Sequence, residues 1–288
     1  MRFSLILATV NRDKELENFI IHLQQGTYQN YELIIVDQSD NDCIKNVYYR
    51  HRNNMDIVYV HLTKKGLSHA RNVGLSYAKG DIIAFPDDDC WYGAGVLELV
   101  KNLFSTYSVG GICGCPVDKY CQPLIHNFLG EKSFLDKKNV WHGSVSITIF
   151  LKQEVIKCIG DFDETLGVGA NSPYGSGEET DYLLRALENG FNIMYMPVLK
   201  IFHPRKDSIC TVHECIRARS YGRGMGAVLR KHHYDYFYLL KTLIRPAGGA
   251  LLALLSFNML LALYRTNTFI GRIEGWVFKG KERARGDN

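Results

Sequence analysis

No glycine interrupts Ala8-Thr9-Val10-Asn11-Arg12-Asp13, the junction between the first apolar run and the first helical stripe. A dinucleotide-binding oxidoreductase needs Gly-x-Gly-x-x-Gly there, so that the backbone can approach a pyrophosphate, and that class is set aside. The glycine-rich activating loop expected of a nucleotidyltransferase is missing from the same region. So are the long apolar region and small-residue cleavage site of a secretory signal, and the expected working face is cytoplasmic. The eight cysteines fall at irregular spacings. Without a signal, a disulfide scaffold is not expected in 288 residues. Cys113-Gly-Cys115 with Cys121 lacks the spacing of a zinc finger or ribbon. The cysteines are expected to be small buried hydrophobes. A net charge of +4 is too mild to argue for nucleic acid. The positive surplus sits late, between Arg205 and Arg245.

What is present reads as alternating strands and helices. Phe3–Ala8, Glu32–Val36, Ile57–His61 and Ile82–Phe85 are compact apolar runs of strand length. Between the first two, Leu16, Phe19, Ile20 and Leu23 form a helical stripe. A helix is expected after Ser68, read as its N-cap, carrying Arg71 and Asn72. Another is expected over Val96, Leu97, Val100, Leu103 and Phe104. Such alternation implies right-handed crossovers and a mainly parallel sheet. Polar residues directly after each strand then collect along the carboxyl edge, where ligands bind. Thr9 and Asn11, Asp37 and Ser39, and Asp87 to Asp89 all hold that position.

Pro86-Asp87-Asp88-Asp89 is the sharpest of these clusters. Three adjacent carboxylates repel one another, and a hard divalent cation removes the objection by bridging them to substrate phosphates. An acidic surface turn is the plainer alternative. Further on, 118–140 is expected to form loops, and Ser144–Leu151 alternates as a strand with Val145, Ile147, Ile149 and Leu151 on one face. Gly160 to Gly177 is rich in glycine and polar residues and reads as a long functional loop. Gly177-Glu178-Glu179-Thr180-Asp181 opens a helix, where acidic residues suit the positive end of the dipole. In a cleft holding a metal and a leaving phosphate, one of these carboxylates could instead deprotonate an acceptor hydroxyl. Strands are expected at Ile193–Pro197 and Leu199–Phe202, ending on His203, a borderline metal ligand.

Together, Thr9-Val10-Asn11-Arg12, Val36-Asp37-Gln38-Ser39, Gly66-Leu67-Ser68-His69-Ala70-Arg71-Asn72-Val73-Gly74, Pro86-Asp87-Asp88-Asp89, Gly177-Glu178-Glu179-Thr180-Asp181 and His203 resemble the family 2 glycosyltransferases of bacterial cell-surface polysaccharide type. The resemblance implies the GT-A fold, an α/β architecture with a Rossmann-like nucleotide-binding half and a mixed, mainly parallel sheet. Its motifs cover about 3–205; the glycosyltransferase domain is expected over 1–205, with 206–288 as a helical, membrane-associating region. It further implies an inverting transfer from a nucleotide-diphosphate sugar, a UDP-sugar foremost, assisted by Mn²⁺ or Mg²⁺. Thr9, Asn11, Arg12, Asp37, Ser39, Arg71, Asp87 and Asp88 would hold the nucleotide sugar. Asp89, Asp87 and His203 would hold the metal. Glu179 falls at the base position, where the family carries Asp, and Glu178 and Asp181 stand as alternatives. Cys215-Ile216-Arg217-Ala218-Arg219-Ser220-Tyr221 lacks the Gln-x-x-Arg-Trp of processive synthases, so processivity is not expected. A catalytically silent sugar-nucleotide-binding module is the rival class, and it would not require a base.

Ala247 to Tyr264 contains no charged residue and is dominated by leucine. The run is borderline for a span, which needs about 20 apolar residues. Arg245 and Arg265 flank it. A hairpin or interfacial helix pressed into an anionic leaflet is expected first, a single span second and a buried helix third. The resemblance adds a glycan or polyprenyl-diphosphate-linked acceptor and a peripheral or monotopic place on the cytoplasmic side of the inner membrane, with no nucleic-acid partner.

Overall fold

The computed structural model describes residues 1–205 and 211–278; Cys210, with the rest of 206–210, and 279–288 lie outside the described residues. The chain divides into two compact units, 1–163 with 179–206, and 164–178 with 207–288. The Glu164–Glu178 loop groups with the C-terminal unit.

The first unit is built on a sheet of nine strands: β1 (Phe3–Thr9), β2 (Tyr31–Asp37), β3 (Ile57–His61), β4 (Ile82–Ala84), β5 (Trp91–Tyr92), β6 (Gly111–Val117), β7 (Ser133–Phe134), β8 (Ile149–Lys152) and β9 (Ile193–Phe202). Their order is β3-β2-β1-β4-β8-β6-β9-β5, with β7 beside β9. The first four strands are mutually parallel, β8 runs antiparallel between β4 and β6, and β6 is parallel to β9. The central strands β1 and β2 are buried along nearly their whole length, as befits a parallel sheet covered on both faces. Helices α1 (Asp13–Gln24), α2 (Cys43–His51), α3 (Leu67–Tyr77), α4 (Val96–Thr106), α5 (Gln153–Ile159) and α6 (Glu178–Glu188) complete the fold around it. The α1 stripe, Leu16, Phe19, Ile20 and Leu23, is buried in the core. Each such side chain contributes about 1.5–3 kcal/mol by leaving water.

Four sequence expectations are corrected here. Ser144–Leu151 does not alternate as one strand: a 3₁₀ turn at Ser146–Thr148 precedes β8, whose residues are buried on both faces because β8 sits inside the sheet. The two strands around Pro197 are one, β9, and the proline falls where the β6–β9 register jumps from Cys113↔Tyr195 to Cys115↔Lys200. At such an irregularity a missing N–H costs no ladder bond. Helix α3 begins at Leu67 rather than after Ser68, because Gly66, at φ 135°, takes the N-cap position and Ser68 is buried within the first turn. Among the described cysteines, all free, Cys90, Cys113, Cys115 and Cys215 are buried, but Cys121 and Cys158 are exposed.

The second unit holds α7 (Val212–Lys231), α8 (Tyr236–Leu255) and α9 (Met259–Val277). The uncharged run therefore belongs to two helices, separated at Ser256–Asn258 with Phe257 at φ 55°. Helices α7 and α9 approach closely through glycine: a Cβ on Gly271 or Gly275 would collide with the Arg219 or Arg223 carbonyl oxygen, and one on Gly222 would lie 2.7 Å from that of Thr268. Glu274 locks the same pair, accepting from Arg223 Nε at 2.7 Å and Arg219 Nε at 3.0 Å. Pro246, inside α8, cannot donate to the Thr242 carbonyl four residues back, and Arg272 donates to that oxygen instead. Among the described residues one helix, Tyr236–Leu255, is long and apolar enough to cross a membrane by length and composition.

Candidate active site

The sheet register brings the polar strand ends together. Thr9 pairs with Asp37, Asp37 with His61, and Ala8 bridges to Asp87 on the other side of β1. The expected carboxyl-edge cluster is thus a direct consequence of parallel pairing. Asn11 adopts φ 55°, and its N–H donates to Ser39 Oγ at 2.8 Å. That bond ties the β1 loop to the β2 loop.

Thr9 and Arg12 organise the acidic triplet. Thr9 Oγ1 donates to Asp88 Oδ2 at 2.7 Å, and Arg12 spans Asp88 at 2.6 Å and Asp89 at 3.1 Å. Burial pushes the Asp88 carboxyl up to about 6, against the pull of Thr9 and Arg12. Burial works the same way on Asp89, but the His203 hydrogen bond and the charges of His203 and Arg12 outweigh it and hold that carboxyl down at about 2.

His203 reaches Asp89 because β5 pairs antiparallel with β9. Trp91 lies opposite Phe202, their rings stacked at 5.4 Å, so the residue after Phe202 falls opposite Cys90, next to Asp89. His203 N–H donates to the Val117 carbonyl at 2.9 Å, and its Nε2 stands 3.1 Å from Asp89 Oδ1. The other ring nitrogen, Nδ1, lies 2.8 Å from the Pro204 carbonyl. Both ring nitrogens therefore face acceptors, and the Asp89 hydrogen bond raises the His203 pKa. With the Nε2 proton gone, the Nδ1–H held by Pro204 would leave Nε2 free to ligate a metal beside Asp89. The Asp89 oxygen and the His203 nitrogen therefore fit a divalent cation of the Mn²⁺ or Mg²⁺ kind. The expected third ligand does not join them. Asp87 is engaged by Arg71 Nη2 at 3.4 Å, and no group of three metal-ligating side chains forms among the described residues.

Two residues expected to touch nucleotide lie beneath the cleft. Arg71 is 1% exposed, its guanidinium between the Phe85 and Phe162 rings, so it supports Asp87 from below. Asp37 is fully buried and accepts from Ser39 N–H at 2.8 Å and Tyr59 Oη at 2.7 Å, which makes it the anchor of the Ser39 loop. Burial, and then the Asp37 carboxylate, push the Tyr59 phenol upward. Thr9, Ser39 and Asp88 are buried along the same edge, and Asn11 and Arg12 are exposed on it.

The three carboxylates that open α6 separate cleanly. Asp181 is fully buried and paired with Arg185 at 3.1 Å, and Glu178 is buried, while Glu179 is half-buried. Only Glu179 retains partial access to solvent. One helical turn beyond it, Tyr182 stacks on Phe162 at 3.8 Å, and both rings meet Phe85 edge-on, two residues before Asp87. Asn72 fixes Phe162 from both sides, accepting from its N–H at 2.7 Å and donating to its carbonyl at 3.0 Å. Tyr59 and Phe162 escaped the sequence reading. An isolated aromatic amid the polar Gly160–Gly177 loop was the one available signal for Phe162.

Residues 4–142 match the family model described as glycosyl transferase family 2. Glycosyltransferase AglE of Haloferax volcanii is 24% identical over 221 residues, 70% of this chain and 67% of AglE. The minor teichoic acid biosynthesis protein GgaB of Bacillus subtilis is 28% identical over 214 residues, 67% of this chain but 24% of GgaB. Among solved structures, the mannosyltransferase PcManGT of Pyrobaculum calidifontis in complex with GDP-Man and Mn²⁺ superposes with a TM-score of 0.67 at 15% identity, over 95% of this chain and 86% of that one. TarS 1–349 of S. aureus in complex with UDP-GlcNAc gives a TM-score of 0.60 at 15% identity, over 95% and 91%. At these identities the likeness establishes the fold.

Proposed function

We infer, from a chain whose residues 4–142 belong to glycosyl transferase family 2, that the cleft along the carboxyl edge performs an inverting, cation-assisted glycosyl transfer. The donor is a nucleotide-diphosphate sugar, a UDP-sugar foremost, and the acceptor a glycan carried on a lipid diphosphate in cell-surface polysaccharide synthesis. The observation that carries this reading is the meeting of Asp89 and His203 at 3.1 Å on the edge where Thr9, Arg12 and Ser39 gather. PcManGT with GDP-Man and Mn²⁺ supports the cation, and TarS with UDP-GlcNAc supports the donor class.

Asn11 and Ser39 form the nucleoside end of the cleft, and Thr9 and Arg12 hold Asp88 and Asp89 in place. Asp89 and His203 would hold a divalent cation, which when bound would supply positive charge to the leaving diphosphate. Glu179 takes the proton of the acceptor hydroxyl. The acceptor oxygen then bonds to the anomeric carbon on the face opposite the diphosphate. The carbon–oxygen bond to the diphosphate breaks in the same displacement, and its electron pair leaves with the nucleotide. One displacement inverts the configuration.

The C-terminal unit is proposed to rest on the cytoplasmic leaflet of the inner membrane. From Pro246 to Leu255, α8 is uncharged for about 15 Å, half the roughly 30 Å hydrocarbon thickness, before the chain turns and α9 returns to Arg265. That length suits a hairpin dipping into one leaflet, with Arg245 and Arg265 at the headgroups.

A panel of nucleotide sugars measured by thermal shift, with and without Mn²⁺, tests the reading. A correct donor at a hundred times its Kd stabilises the fold by about 2.7 kcal/mol. The reading fails if no nucleotide sugar moves the melting point at millimolar concentration.

A further inference from the structure

We propose that the cavity between the 167–175 loop and α7 binds the phosphate group of the lipid-linked acceptor, an assignment that rests on the acceptor class inferred above. The cavity measures about 480 Å³, within the range of small-molecule sites. Its described lining carries Arg217 and His213 and no Asp or Glu. A pocket with a fixed cation and no carboxylate selects an anion.

Arg217 is held for the task. Its Nε donates to Tyr221 Oη at 2.8 Å, a second N–H reaches the same oxygen, and the guanidinium sits 4.8 Å from the centre of that ring. A guanidinium carries five N–H donors, so others stay available for a phosphate oxygen. His213 lies in the first turn of α7, where the helix dipole adds positive potential. Ser220 supplies a hydroxyl to the wall, its own proton given to the Pro173 carbonyl at 3.1 Å, so its oxygen can still accept.

An apolar surface continues from this cationic end. Ile216 lines the cavity yet is 65% exposed, and Val212, one turn earlier, is 60% exposed. Cys215 Sγ meets the Leu260 carbonyl at 3.4 Å, which sets this end of α7 beside the start of α9. There Phe257 and Met259 project at the α8–α9 turn, Phe257 with 86% of its surface exposed. A ligand with a phosphate head and an isoprenoid-like tail matches this sequence of surfaces. A free phosphate or sugar would leave the apolar part unused.

The test uses the full chain, titrated calorimetrically in saturating UDP and Mn²⁺ so that the donor site is filled. Farnesyl diphosphate, farnesol and inorganic pyrophosphate are compared. Farnesyl diphosphate is expected to bind at least about tenfold more tightly than either other probe, a difference of 1.4 kcal/mol. Arg217→Ala is expected to lose that margin, Arg217→Lys to recover part of it, and Ala170→Phe to block binding by filling the opposite wall. UDP affinity and melting temperature should be unchanged in the Arg217 variants. The proposal is overturned if Arg217→Ala binds farnesyl diphosphate like the parent, if the parent does not bind farnesyl diphosphate with UDP saturating, or if farnesol or pyrophosphate binds equally well. Failure of the donor reading shows separately, as absent UDP binding in the parent chain.

Discussion

The Phe162 ring lies parallel to Tyr182, their planes 6° apart and their centroids 3.8 Å apart, and so fastens the loop before the C-terminal unit to helix α6, which carries Glu179. Phe85 closes the cluster from the strand that leads to Asp87. The rings are a mechanical link between the acidic triplet and the first turn of α6. Phe162→Ala should cost about 3–5 kcal/mol, the usual loss for a buried aromatic. Phe162→Leu keeps most of the volume and should lower kcat while leaving donor Kd nearly unchanged. Equal loss in both constants would mean the cluster does not position the base.

Glu179 and Asp181 should fail in different ways. Glu179→Gln removes proton acceptance but keeps the shape, so transfer should fall about 10²- to 10⁴-fold with donor binding retained. Asp181→Asn removes the charged partner of Arg185, which keeps its bonds to the Ile159 and Asp161 carbonyls, in a pair whose acid is fully buried, so the effect should be mainly on melting temperature. Single-turnover rates beside thermal melts separate the two. Normal turnover in Glu179→Gln would move the base elsewhere.

His203 should matter to the cation more than to the nucleotide. Its Nε2 faces Asp89, and its Nδ1 is oriented by the Pro204 carbonyl. His203→Ala should raise the Mn²⁺ concentration for half-maximal donor stabilisation by about 10- to 100-fold. UDP binding without metal should hardly change. An unaltered Mn²⁺ dependence would remove His203 from the cation site.

The carboxyl-edge cluster was legible in the sequence because parallel strands leave their polar termini on one side, and no long-range fact was needed to see it. Which of those residues face the cleft was not legible. Asp37 shares a motif with Ser39, and Arg71 follows a strand as Arg12 does, yet packing between Phe85 and Phe162 holds Arg71 inside and the Tyr59 hydroxyl holds Asp37. These contacts join residues far apart in sequence. Strand β6 escaped for a related reason: Gly111-Ile112-Cys113-Gly114-Cys115-Pro116-Val117 has no alternation because both of its faces are covered. For the uncharged 247–264 run a hairpin or interfacial helix is the first expectation, but the place of the turn was not legible, since it depends on the left-handed conformation of Phe257.

Stability of the helical unit should weaken in acid through Glu274. The Arg219 hydrogen bond, with Arg223, holds its carboxyl at about 2, below the ordinary 4.5. A depressed carboxyl stabilises the fold fully above its unfolded pKa, and the contribution is lost as pH falls from about 4.5 toward about 2. Glu274→Gln should therefore melt earlier than the parent at pH 7, by about 1.5–3 kcal/mol for its charged hydrogen bonds. The gap should close as the pH approaches 2. A difference independent of pH would assign the loss to packing between α7 and α9.

The proposed hairpin makes a demand that a buried helix or a dimer contact does not. Leu252, Leu255 and Phe257 are all largely exposed near the α8–α9 turn, with Arg245 and Arg265 at the far ends of the uncharged run. If that turn enters a leaflet, a charge there must be carried into hydrocarbon, at about 2.5–3.5 kcal/mol for a centrally placed one. Leu255→Glu with Phe257→Glu should abolish co-sedimentation with phosphatidylglycerol vesicles. Arg245→Gln and Arg265→Gln should each weaken it by about 1 kcal/mol, and added salt should mimic them. Donor binding, proposed for the other unit, should persist in every variant. Parent protein that fails to sediment with anionic vesicles, or a doubly acidic variant that still does, would leave these leucines to a protein partner.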